Sequence, residues 1–291
     1  LSSIVYPDSN EVDMRYPFPA ILILCGSLLV ACAPAARDSQ AVPPPTAPSK
    51  AETTELEAYR AWVLAQADDL LLRTEAFNAA VQAGNRGKAE ALYPATRMPY
   101  ERIEPIAEAL GDLDPRIDAR ENDVKPEDWG GFHLVEKILW SAGSLKKAGP
   151  VSTTLLEDVR LLRAKVESAE ISVPKLVTGA VELLNEVSTS KVTGEEERYS
   201  HTDLWDFQAN VEGAAKIWEL LAPAAKTADP ALAATIDQNL TALNALLATH
   251  KKGEGFQLYT ALGPQEVKAL SASVDALAEP LSKLGRIFPA E

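Results

Sequence analysis

Apolar residues recur along this chain at the three- and four-residue spacing of a helix face, and no stretch shows a convincing β-branched, two-residue alternation. Leu232, Ile236, Leu240, Leu243 and Leu247 form one stripe, and Val267, Leu270, Val274, Leu277, Leu281 and Leu284 form another. Asp229-Pro230 and Gly263-Pro264 stand at their starts, where proline is already shaped for a first helical turn. Upstream, Trp62, Val63, Leu70, Phe77 and Val81 share a face that stops at Gly84. A second helix runs from Lys88 to Leu110, interrupted by Pro94, Pro99 and Pro105. Others are marked by 131–141, by Leu155, Val159, Leu162 and Val166, and by Leu176, Ala180, Leu183, Leu184 and Val187, opened near Pro174. A further helix spans Leu204 to Leu221, with Ser200 or Thr202 as its cap. About eight helices with short connections predict an all-α antiparallel helical bundle, arranged as two four-helix groups.

The first residues read differently. Met14-Arg15 opens a short charged region, and an apolar run ends at Val30. That run is about 14 residues, shorter than the ~20 a membrane-spanning helix needs, so it reads as a signal peptide. Leu29-Val30-Ala31-Cys32 resembles a bacterial lipobox, which makes Cys32 the expected lipidation site. Cys25 leaves with the signal, so the mature chain has neither a disulfide nor a thiolate ligand. Residues 33–50 are rich in Pro, Ala, Ser and Gln and read as a tether. The expected organisation is a signal peptide with upstream extension over 1–31, a lipid-anchored tether over 32–52 and a helical domain over 53–291. Ala33 after the cysteine leans towards the outer membrane. A net charge of −14, with no basic stripe, argues against a nucleic-acid partner and is compatible with gathering cations.

Three segments stand out by their acids and aromatics. In Gly130-Gly131-Phe132-His133-Leu134-Val135-Glu136, an imidazole and a carboxylate three residues apart share one helix face, as a metal chelate needs. The chain has only three histidines, and this one sits in an otherwise apolar helix. The alternatives are a satisfied core histidine and a salt bridge from Glu136 to Lys137 or an arginine. Glu101 and Glu104 repeat the same spacing before Pro105, whose kink could turn both inward; spacing alone favours a solvated acidic face with Arg102 nearby. Asp118 is a candidate ligand, or a partner of Arg116 or Arg120. The third segment starts with Glu195-Glu196-Glu197, at least two of which are expected to be solvated, and continues into a helix bearing Asp203, Asp206, Asn210 and Glu212.

Taken together, Arg102-Ile103-Glu104-Pro105 with Gly111-Asp112-Leu113-Asp114-Pro115-Arg116-Ile117-Asp118, the Gly-Phe-His-x-x-Glu-Lys-x-Leu-Trp stretch at 131–140, and 193–213 resemble the imelysin-like domain of the EfeM/EfeO family, periplasmic components of bacterial iron uptake. The resemblance covers about 53–288. It implies an imelysin-like fold of two helical bundles and a metal site built around His133 and Glu136, with carboxylates from Glu101, Glu104 and Asp118, and Glu196 as a further acid. It implies iron as the metal, with zinc or copper as substitutes. It also implies an iron permease of the Efe type and a haem peroxidase-type protein as partners. A short tether in place of a cupredoxin domain makes the EfeM form the nearer match. The expected role is capture and delivery of iron, with affinity falling below about pH 5–6 as ligands protonate. A metallopeptidase is the competing reading, but there is no His-Glu-x-x-His to supply two histidines and a base on one helix. Metal-bridged binding of an acidic polysaccharide or a partner protein is a third.

Overall fold

The computed structural model describes residues 50–106 and 111–289, with side chains from residue 54 onward. The signal, the lipidation site Cys32 and nearly all of the tether lie outside the described residues, as does 107–110 at the expected end of the second helix. Among the described residues there are nine α-helices: α1 (Lys50–Gln82), α2 (Arg86–Ile103), α3 (Leu113–Asp118), α4 (Gly131–Trp140), α5 (Ala148–Ser168), α6 (Val173–Thr189), α7 (Asp203–Ala228), α8 (Pro230–Thr249) and α9 (Pro264–Ser282). None of them is long and apolar enough to cross a membrane.

The helices form the two expected groups. α1, α2, α4 and α5 pack together, with the short α3 set against α4 and α5. α6, α7, α8 and α9 make the second group, and α2 against α7 joins the two. One apolar core runs through both, from Val63, Leu70 and Phe77 of α1 to Leu270, Val274 and Leu277 of α9. The predicted stripes are the buried faces: Leu155, Val159 and Leu162 on α5 and Ile236, Leu243 and Leu247 on α8 are wholly enclosed.

Local sequence sets the helix ends. Asp229 accepts the Leu232 N–H at 3.0 Å, and Pro230 follows as the first residue of α8. Thr202 takes the cap position of α7 without capping it; its hydroxyl lies 2.9 Å from that of Ser200 instead. The expected breaks at Pro94 and Pro99 do not occur, since α2 runs through both. It ends at Ile103 and tightens into a 3-10 turn over 104–106. Pro105 has no N–H for the Glu101 carbonyl, and the Asn210 amide of α7 donates to that oxygen instead, at 3.1 Å.

Two features were not foreseen. A two-stranded hairpin, β1 (Lys251–Lys252) and β2 (Gly255–Phe256), follows α8. Its Phe256 packs edge-on to Trp205, with 5.4 Å between ring centroids. The 3-10 turn beyond it supplies Tyr259, whose N–H donates to the His201 carbonyl at 2.8 Å and whose hydroxyl donates to the Val192 carbonyl at 2.6 Å. These bonds fix the segment between α6 and α7, which supplies much of the polar centre.

Candidate metal centre

α4 begins on two glycines. Gly131 has φ +69°, and a Cβ there would collide with the Ile117 carbonyl, so only glycine lets α4 start this close to α3. Phe132, Val135 and Leu139 then enter the core, while His133 and Glu136 face a buried polar chamber.

Arg97, fully buried on α2, is the hub of that chamber. Its guanidinium pairs with Glu101 and Asp118, lies 3.2 Å from Glu196 and from Asp206, and 2.6 Å from Glu197. Its planar fork serves five carboxylates from four segments of the chain, which a point charge could not do. Beside it, Lys191, also buried, places its ammonium 2.8 Å from Glu101 and 3.0 Å from Glu104. Arg120 closes the outer edge, 3.0 Å from Glu196. Burial opposes the charge on Lys191, but Glu101, Glu104 and Glu196 hold it well above the usual lysine range.

Even so, acids outnumber bases. Glu101, Glu136, Glu196, Glu197, Asp203 and Asp206 are buried, with Asp118 and Glu104 nearly so. Against these eight stand Arg97, Lys191, Arg120 and His133. Some carboxyls are therefore easier to protonate than usual. Burial, then the neighbouring Glu136 and Asp206, pushes Glu197 well above the carboxylate range, and burial pushes Asp203 up to about 6. Others remain ionised. Burial disfavours the charge on Glu196, but Lys191, His133 and Arg97 hold its carboxyl well below the usual range, and Arg97 and His133 lower Asp118 against the same cost.

His133 stands where these charges meet. Its Nε2 lies 3.5 Å from Asp118 Oδ1 and 3.6 Å from Glu196 Oε1. Its Nδ1 lies 3.6 Å from Glu136 Oε2 and 3.9 Å from Glu197 Oε1. Neither ring nitrogen has a hydrogen-bond partner, nor does Glu136 Oε2. Such gaps are too long for hydrogen bonds. An ion about 2.1 Å from two ligand atoms holds them about 3.4 Å apart at the tetrahedral angle. The spacing therefore suits a metal better than a proton. Two groups bring three ligand atoms within 4.8 Å of one another among the described residues: Asp118, His133 and Glu196 around Nε2, and His133, Glu136 and Glu197 around Nδ1. Burial and Arg97 disfavour the imidazolium, yet Asp118, Glu136 and Glu196 together hold its pKa well above the usual histidine value.

The expected site residues thus separate. Asp118, His133, Glu136 and Glu196 meet at the imidazole. Glu101 and Glu104 sit to one side, held by Lys191 and by the Asn210 amide at 3.0 and 2.9 Å. Glu136 pairs with neither Lys137 nor an arginine; its Oε1 accepts the Tyr199 and Ser200 N–H groups at 3.0 and 2.7 Å. Asp118 pairs with Arg97, while Arg116 goes to Asp158. The solvated reading of 195–197 is corrected: only Glu195 is exposed, because the turn at Gly194 (φ +77°) folds Glu196 and Glu197 inward onto Arg97. Arg97, Lys191 and Glu197 were missed. The one available signal was Arg97 standing four residues before Glu101, on the same helix face.

The chain was compared with known proteins. The imelysin family model matches residues 55–284. An Efem/EfeO family lipoprotein of Staphylococcus haemolyticus is 47% identical over 231 residues, which cover 78% of this chain and 80% of the relative. The iron uptake system component EfeO of Escherichia coli K12 is 43% identical over 233 residues, 79% of this chain and 62% of that protein. The matched region thus spans under two thirds of the E. coli relative. The family-model match runs from α1 to α9 and includes every residue of the chamber, and the chain belongs to the imelysin family and, within it, to the Efem/EfeO family.

Proposed function

We propose that this chain is an iron-uptake component that takes iron at Asp118, His133 and Glu196 and delivers it to a permease, from a lipid-anchored position on the periplasmic side of a membrane. The observation that carries the reading is the His133 Nε2 atom, unpartnered and facing two ionised carboxylates at metal-ligand spacing. An imidazole with carboxylate oxygens suits iron, and zinc or copper would compete for the same atoms. Glu136, anchored by its two backbone donors with Oε2 3.6 Å from Nδ1, is placed to take up Nδ1–H and orient the ring when an ion sits on Nε2.

Access favours the Nε2 side. A cavity of about 200 Å³ is lined by Glu104, Asp114, Asp118, Arg120, Glu186 and Glu196, and leads an ion towards the imidazole through acidic walls. The Nδ1 group is sealed in. Capture also fits better than hydrolysis. Both carboxylates that could be nominated as a general base are committed, Glu104 to Lys191 and Asn210 and Glu136 Oε1 to the backbone. The relatives named as iron uptake components agree with this role.

Isothermal titration with ferrous, ferric, zinc and copper ions tests the reading. His133→Ala, Asp118→Asn and Glu196→Gln should each weaken iron binding about 100-fold or more, and Glu136→Gln about 10–100-fold. Unchanged affinity in His133→Ala would end it. The unpartnered Glu136 Oε2 supports a second arrangement, with the ion on Nδ1 between Glu136 and Glu197. There Glu136→Gln costs more than Asp118→Asn.

A further inference from the structure

Tyr259 lies on the 3-10 turn beyond the hairpin, yet its contacts fall on both ends of the loop at 194–201, which carries Glu196 and Glu197. At the near end its hydroxyl donates to the Val192 carbonyl at 2.6 Å, and its ring lies against Gly194, where a Cβ would stand 2.9 Å from Cδ1. At the far end its N–H donates to the His201 carbonyl at 2.8 Å. Both ends are left-handed, with φ +77° at Gly194 and +58° at His201. That conformation is strained for a histidine, and such strain persists only where the surroundings impose it. Between the two ends hang Glu196 and Glu197, turned in to Arg97, and the Tyr199 and Ser200 N–H groups that hold Glu136. The hairpin delivers Tyr259 to this place. Gly255 lies so close to the Trp205 ring that a Cβ would fall 2.4 Å from Cζ2, and Phe207 stacks on the Tyr259 ring with 6.2 Å between centroids. Burial, then the nearby Asp203, pushes the hydroxyl well above the usual phenol range, so it stays a donor at any working pH.

We propose that Tyr259 is a positioning residue: it clasps the 194–201 loop in the form that turns Glu196 and Glu197 inward, and a bound ion leaves by way of the loop's opening. Glu196 reaches the imidazole from this loop, whereas Asp118 and His133 belong to the first helix group. The loop is the part of the site able to open by itself. Its outer ties, from Arg198 and Tyr199 to Glu121, are half-exposed, whereas Phe132, Val135 and Leu139 lock α4 into the core. Removing the hydroxyl leaves the Val192 carbonyl without its donor, which should raise the open population about tenfold. The route of the ion rests on the site proposed at His133; the clasp itself does not.

Tyr259→Phe removes the hydroxyl and keeps the ring, and two measurements read the result. In the metal-free protein, hydrogen exchange of the Tyr199 and Ser200 amides should quicken about tenfold. Zn²⁺ alone is the second probe: its release to a chelator should quicken by a similar factor. Ile236→Val, on the buried face of α8, is the control. It lowers overall stability without touching the loop, so it should leave both rates as they are in the natural chain. Unchanged exchange in Tyr259→Phe overturns the proposal. So does faster exchange with unchanged Zn²⁺ release, and so does an equal effect of Ile236→Val, which would make Tyr259 one more packing residue. Zn²⁺ binding that is unaltered in His133→Ala removes the site at His133 instead, and exchange alone then decides the clasp.

Discussion

Arg97→Met asks how much of this fold hangs on one buried cation. Methionine keeps most of the buried stem and removes the guanidinium, whose carbon lies 5.4 Å from the Phe132 ring centroid, so the loss is mainly one of charge with its cation–π contact. Removing one partner of a buried ion pair costs about 3–5 kcal/mol, because the remaining charge is left uncompensated. Here Glu101, Asp118, Glu196, Glu197 and Asp206 are all left facing one another. Protonation of Glu197 and Asp206, both already pushed up by burial, caps the penalty near the upper figure. At about 2–4 °C per kcal/mol for a domain of this size, the melting temperature should fall by about 10–20 °C in metal-free buffer at neutral pH. The deficit has a sign in pH. Asp118 and Glu196 have depressed pKa values, so the stability they draw from Arg97 is full above the unfolded carboxylate pKa and disappears as pH falls through the folded one. The two melting curves should therefore converge in acid. Calorimetry from about pH 7 down to about pH 2, below the ordinary carboxylate range, reads both effects. A loss under about 3 °C, or one that does not shrink in acid, refutes the argument and makes Arg97 a packing residue.

Iron affinity should rise about tenfold per pH unit across neutrality, because a ligating imidazole must shed the proton that Asp118, Glu136 and Glu196 help it keep. This lifts the loss of binding above the pH 5–6 expected from an ordinary histidine. The metal-free protein runs the other way: the raised His133 pKa lends stability at low pH that is lost as pH climbs through it. Titrations in buffers of different ionisation enthalpy should find about one proton released, and a flat affinity from about pH 6 to 8 would refute the coupling. Gly131→Ala should lower stability by at least about 2 kcal/mol and weaken iron binding, since it forces α4 away from α3 two residues before His133. Chemical denaturation measures the first, and native-like stability would show that the start of α4 tolerates a side chain.

The helices were legible because their stripes are long and regular; Ile236, Leu243 and Leu247 lie where the spacing puts them. Asp229-Pro230 fixed a helix start for a local reason, a side-chain cap and a preset φ. The hairpin at 251–256 was not legible, since two-residue strands show no alternation and Lys251-Lys252 reads as plain solvent-facing charge. In the site, His133 and Glu136 could be paired because one helix carries both. Glu196 and Glu197 could not be told from a solvated run, because what buries them is Arg97, about a hundred residues earlier in the chain. Lys191 was hidden for the same reason: its partners Glu101 and Glu104 are 90 and 87 residues away. Chemistry held within one helix is written in spacing; chemistry assembled between helix groups is written in tertiary contacts.

The docking of α2 against α7 has a consequence for how the protein is made. Arg97, Asp118 and His133 come from the first helix group, whereas Lys191, Glu196 and Glu197 belong to the segment that opens the second. A chain emerging from the ribosome carries its imidazole long before Glu196 and Glu197, which complete the proposed site. Such long-range closure comes late in folding. Metal cannot template the early steps, and a chain stalled between the two groups has no finished site with which to seize a stray ion. At the proposed site, loading would thus be a mark of completed assembly, possible only once the second bundle has closed over the first.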